Sequence, residues 1–87
     1  MGILLLISSL SFAQNNEAKI KEIIDLSDKS YKSYSEYKNE ESLKYSQKAN
    51  EIALEMGDSK WIATTYNQIA RAYTNMGKQK EALLYID

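Results

Sequence analysis

The sequence predicts an all-α chain of antiparallel helix pairs. Apolar residues recur at spacings of three and four in each segment from Ala18 onward, which is the period of one helix face. The helix-stop unit Met56-Gly57 recurs as Met76-Gly77. Glycine suits the left-handed conformation that ends a helix, so each Gly marks a turn into the next element. Turns are expected near Tyr37–Asn39, Gly57–Asp58 and Gly77–Lys78.

The N-terminal segment is set apart by composition. Ile3 to Leu10 is apolar except for Ser8 and Ser9, and Ser11-Phe12-Ala13 then places small residues where a signal peptidase reads. Polar Gln14-Asn15-Asn16 follows. This is the pattern of a secretory signal peptide cleaved after Ala13, although no Lys or Arg precedes Lys19. The run is shorter than the ~20 residues a membrane span needs. The expected organisation is a signal peptide over 1–13 and a helical repeat region over 14–87. The expected localisation is exported, periplasmic or extracellular.

The first helix is expected from Ala18 to Tyr34. Ile20, Ile23, Ile24, Ser27, Tyr31 and Tyr34 share one face, and Leu26 lies off that stripe. Lys29 to Lys38 alternates tyrosine with lysine, as a single-strand nucleic-acid binder does. The charge gives that function no support. Residues 14–58 carry 7 Lys against 10 acidic residues, and residues 59–87 carry 4 basic against 2 acidic. Neither balance is the strongly basic face that nucleic acid requires, so no nucleic-acid partner is expected.

Asn39 is expected to cap the second helix, with Glu40 and Glu41 at the positive end of its dipole. Tyr45, Ala49, Ile52 and Met56 form one apolar line, widened by Ser46 and Ala53. Leu43 and Leu54 form a second. Two lines let this helix touch neighbours on two sides. Asp58 or Ser59 caps the third helix, whose core line is Ile62, Tyr66, Ile69, Tyr73 and Met76. Ala70 offers a small spot for a close helix crossing. Trp61, Thr65 and Ala72 lie off the line, toward a second neighbour. Glu81 to Ile86 opens a fourth helix. It lasts about two turns, too short to be stable alone, so the chain is expected to be part of a longer protein.

Tyr66, Ile69, Ala70 and Tyr73, followed by Ala82 and Ile86, match a known spacing. It resembles the tetratricopeptide repeat (TPR), whose pattern runs W-x2-L-G-x2-Y, then A-x3-F. The match covers about Ala63 to Ile86. Leu43 to Ala49 is similar to the second helix of an earlier repeat, with Ser42 standing where Ala82 stands in the later one. The unit this implies is longer than the family's usual repeat. Ala18 to Ser33 has the period of a first helix but not the pattern. The resemblance implies a TPR-like α-solenoid fragment of about one and a half to two repeats.

The resemblance also implies a binding scaffold. In the family the first helix of each repeat lines a concave groove. By that carry-over Thr64, Asn67, Gln68, Arg71 and Asn75 would face a protein or peptide partner. Amides can bond an extended backbone and Arg can grip a carboxylate. A second reading makes the repeats the N-terminal sensor region of a larger bacterial signalling protein, a histidine kinase or a transcription regulator. An enzyme is disfavoured by composition. His and Cys are absent, and no Gly-rich phosphate loop is present. No catalytic residue, metal or cofactor is expected.

Overall fold

The computed structural model describes the backbone of residues 2–86 and the side chains of residues 15–86. Four helices follow one another: α1 (Gly2–Ser35), α2 (Asn39–Met56), α3 (Ser59–Asn75) and α4 (Gln79–Leu83). No strand occurs among the described residues. The two- and three-residue connections reverse the chain each time. α2 therefore packs between α1 and α3, α1 also touches α3, and α4 packs on α3.

The three turns lie where they were expected and share one geometry. Tyr37, Gly57 and Gly77 have positive φ of 59°, 66° and 75°. The next amide in each case reaches back five residues: Lys38 N–H to the Ser33 carbonyl (2.9 Å), Asp58 to Ala53 (3.4 Å) and Lys78 to Tyr73 (2.9 Å). Tyr37, Gly57 and Gly77 themselves donate to Tyr34, Leu54 and Thr74. This pair of bonds closes a helix by satisfying its last carbonyls. The stops are evenly spaced along the chain, and the first is hidden in the sequence by a tyrosine.

The helix starts differ. Asp58 caps α3, its Oδ1 accepting from Lys60 N–H at 3.0 Å and Trp61 N–H at 3.3 Å. Asn39 does not cap α2. The cap position belongs to Lys38, which makes no side-chain capping bond. The turn at Tyr37 draws Lys38 into closing α1 and moves Asn39 one place into the helix. Asn39 Nδ2 instead donates to the Asn75 carbonyl at 3.4 Å, linking the first turn of α2 to the end of α3.

Packing is tightest where side chains are small. Ser30 on α1 and Ser42 on α2 are buried, as are Ala70 on α3 and Ala82 on α4. The second pair repeats the first in register, Ala70 answering to Ser30 and Ala82 to Ser42. The same crossing is thus built twice, once in each helical unit. Ala49 and Ala53 meet Ile23 in a fully buried cluster, flanked by Leu26, Ile52, Met56, Trp61 and Ile62. Tyr85 lies beside both Tyr66 and Tyr73, at ring separations of 5.6 and 5.9 Å, and so holds the end of the chain on α3.

Several expected faces need correction. Leu26 packs on the core, whereas Ile24 and Tyr31 are 43% and 59% exposed. The α2-facing side of α1 runs through Ile23, Leu26, Ser30 and Ser33, one position round from the aromatic stripe. α4 ends at Leu83, and Ile86 lies outside the helix. α1 begins at Gly2 rather than near Ala18. The antiparallel register set by Ser30 and Ser42 brings Met56, the end of α2, opposite about Asn16. The helix N-terminal to that point extends past α2. The side chains around the expected cleavage site at Ala13 lie outside the described residues.

Candidate partner-binding face

α1 and α3 both run antiparallel to α2, so they lie side by side in parallel. Arg71 spans the seam between them. Its guanidinium carbon lies 5.9 Å from the Tyr31 ring centroid and 5.6 Å from that of Tyr34. The two rings are 6.2 Å apart and tilted by 31°. A planar guanidinium suits such faces, because its charge is delocalised and weakly hydrated. The ion pairs among the described residues are Lys29–Asp25 and Lys38–Glu36, so Arg71 has no carboxylate partner there.

The five residues expected to face a partner occupy different environments. Arg71 and Asn67 are exposed, and Thr64 and Asn75 are half-buried. Thr64 Oγ1 donates to the Lys60 carbonyl at 2.8 Å, which spends its hydroxyl proton within α3. Asn75 receives the bond from Asn39 through its carbonyl. Asn67 borders a shallow pocket of about 210 Å³ with Ala63, Tyr66, Tyr85 and Ile86, on the side of α3 toward α4. Gln68 is the exception. It is 8% exposed, one turn from Thr65 and Ala72, which face α2, and its Oε1 has no hydrogen-bond partner among the described residues. Three residues from Arg71, it has turned toward the seam floor and away from solvent, so it is not a surface contact. Thr65 marks the same floor, accepting a 3.0 Å bond from Asn50 Nδ2 on α2.

Tyr31 was missed as a surface residue, and Tyr34 beside it is half-buried. The repeat register carries the signal that finds Tyr31. Laying Ala82 on Ser42 carries Thr64, Asn67, Gln68, Arg71 and Asn75 onto Ile24, Ser27, Asp28, Tyr31 and Ser35. Of these, Ile24, Asp28, Tyr31 and Ser35 are exposed. Tyr31 therefore holds on α1 the place that Arg71 holds on α3, and the two side chains meet.

The two outer edges of the helix layer differ in polarity. On the α1–α2 edge, Lys29, Lys32, Glu36, Lys38 and Glu41 surround Ser33 and Tyr45. On the α4 side, Leu83, Leu84 and Ile86 are 68%, 80% and 50% exposed.

A family model described as the SusR N-terminal TPR domain matches residues 6–87. The chain belongs to this TPR family. The repeat spacing and the packed, all-helical fold of the described residues agree with a TPR architecture. No curated protein and no solved structure matches the chain. TPR domains are in general non-catalytic repeat scaffolds that mediate protein interactions. Among the described residues no helix is long and apolar enough to cross a membrane.

Proposed function

We propose that this TPR domain is a non-catalytic scaffold that presents the α1–α3 face, as the concave surface of a short solenoid, to a peptide or protein partner. The observation that carries this is the meeting of Tyr31, Tyr34 and Arg71 across the seam. Exposed aromatics and arginine are the residue types that dominate binding energy at interfaces. Ile24 and Asn67 extend the face along both helices. The test is site-specific photo-crosslinking in cells. A photoreactive residue at Tyr31 or Asn67 should trap a defined partner, and one at exposed Glu51 on α2 should not. Equal trapping from Glu51 would remove the assignment of the face.

The domain reads further as the N-terminal part of a larger protein. The family it belongs to is described as an N-terminal domain. Its α1–α2 edge is polar, as a terminal repeat must be, while the α4 edge is apolar and suited to another helix pair. A downstream output domain of a signalling protein, a histidine kinase or a transcription regulator, fits that arrangement. Export fits it as well. The helix before about Asn16 extends past α2, so cleavage after Ala13 would leave the α1–α2 packing in place. N-terminal sequencing of the protein recovered outside the cytoplasm tests this. A chain that begins at Met1 there would rule out cleavage at Ala13.

A further inference from the structure

We propose that the α1–α2 edge is a self-association surface, in which Tyr37 of each of two copies enters a ring-sized slot beside Tyr45 of the other. This edge is not part of the α1–α3 face, and the two helical units differ there. The register that lays Ala82 on Ser42 also lays Tyr85 on Tyr45, Tyr73 on Ser33 and Gly77 on Tyr37. In the second unit Tyr73 stacks on Tyr85, with ring centroids 5.9 Å apart and planes 22° from parallel. In the first unit Ser33 stands in place of that ring, and a slot of about 260 Å³ lies between it and Tyr45. Lys29 also lines the slot and its Nζ lies 6.0 Å from the Tyr45 centroid, so a face of that ring is turned to the slot. A phenol ring fits, because a space of about 150 Å³ already holds benzene.

The first unit has its tyrosine four residues later, at Tyr37. That residue adopts φ 59°, a conformation costly to a residue with a β-carbon, and its side chain is 79% exposed. Its ring does not fill the slot of its own chain, and the fold gains little from it. Its neighbours Glu36 and Lys38 both line the slot. A protruding ring next to a ring-sized slot is self-complementary, since two-fold symmetry sets each ring in the other's slot. The rim favours a second copy over a strongly charged partner. Lys29, Lys32 and Lys38 stand against Glu36 and Glu41, with Glu40 next to Glu41, and all six are exposed. Such a rim repels part of any partner of one sign, whereas two copies turned about a two-fold axis can set lysines against acids. The contact is small, so the dimer is weak, with a Kd on the order of 100 µM.

Sedimentation equilibrium of the full chain, from about 10 µM to about 1 mM, reads the oligomeric state. A monomer–dimer equilibrium is expected. Tyr37→Ala should weaken it by about tenfold or more, since two ring contacts are lost at once. Ser33→Tyr fills the slot from within, as Tyr73 does in the second unit, and should abolish the dimer while circular dichroism shows unchanged helicity. Leu83→Asp, on the α4 edge, should leave the dimer as it is. A chain that stays monomeric throughout overturns the proposal, and so does a dimer that Tyr37→Ala leaves intact. A dimer that Leu83→Asp breaks runs through the α4 edge and overturns it as well. Should Ser33→Tyr unfold the chain, NOEs between isotope-labelled and unlabelled copies decide. Cross-peaks from Tyr37 of one copy to Tyr45 of the other support the slot, and a dimer without them overturns it.

Discussion

Ser30 and Ser42 bond each other's backbones across the α1–α2 crossing. Ser30 Oγ donates to the Ser42 carbonyl at 2.9 Å, Ser42 Oγ donates to the Ser30 carbonyl at 3.0 Å, and the two hydroxyls are 3.2 Å apart. The second unit places Ala70 and Ala82 at the matching positions and needs no such bonds. Small side chains let the helices approach, and at this distance hydroxyls can reach the neighbouring carbonyls. Either Ser→Ala change is expected to cost about 0.5–1.5 kcal/mol. The Ser30→Ala, Ser42→Ala double variant should lose less than the sum, because the hydroxyls are coupled. Ser30→Leu should cost more, through overpacking. Thermal unfolding of the four variants measures this. A harmless Ser30→Leu would contradict the register.

Tyr37 stands where the other two turns use glycine. Its φ of 59° places a β-carbon in the left-handed region, and its side chain is 79% exposed, so packing returns little. Tyr37→Gly is expected to stabilise the domain by about 0.5–1 kcal/mol after the greater chain entropy of glycine is counted. Gly57→Ala should do the reverse. Nothing lies within 4 Å of a β-carbon at Gly57, so the backbone alone sets that cost. The readout is the melting temperature, for which about 1 kcal/mol corresponds to about 4–8 °C in a chain of this size. A lower melting temperature for Tyr37→Gly would show that the ring is needed in the turn.

Asp58 and Asn39 separate a working cap from a displaced one. Asp58→Ala removes two bonds to the free amides of α3 and an anion from its positive end, and should cost about 1 kcal/mol or more. Asn39→Ala removes one 3.4 Å bond to Asn75 and a buried Oδ1 that has no partner among the described residues. Its expected cost is smaller. Urea titrations that ranked the two in the opposite order would restore Asn39 as the dominant cap.

The helices and turns were legible because they depend on local rules. Three- and four-residue spacing, Gly57, Gly77 and Asp58 act within a few residues of themselves. What depended on a neighbour was harder to read. Ala70 stands out in the repeat pattern and Ala72 does not, yet Ala72 is fully buried and Ala70 is 2% exposed. Ala72 shares the Thr65 face toward α2 and both alanines are buried, so Leu at either should cost about 1–3 kcal/mol. Tyr31 and Tyr34 read as core because aromatic residues on a helical stripe usually are. The first unit instead buries serines: Ser30, Ser33, Ser42 and Ser46 fill the crossing and leave the tyrosines to the seam. A pattern that looks for large apolar residues cannot see a helix crossing lined by hydroxyls. Gln68 escaped for the opposite reason, as a polar residue on a face that α1 and α2 close.

The end of the chain supplies the last prediction. α4 spans five residues, less than an isolated helix needs, and packs on α3. Ala82 is buried there, and Tyr85 sits beside Tyr66 and Tyr73, but Leu83, Leu84 and Ile86 face solvent. Local contacts this sparse sustain only a low opening free energy. Amides of Ala82 to Tyr85 are expected to exchange much faster than those of Ile69 to Tyr73 in the 87-residue chain. Tyr85→Ala should speed them further and leave α2 unchanged. A polar capping helix fused after Asp87 should slow them and raise the melting temperature by several degrees, by covering the apolar edge. If the Ala82–Tyr85 amides are already as protected as those of α3, the tyrosine stack alone secures α4 and the edge needs no cover.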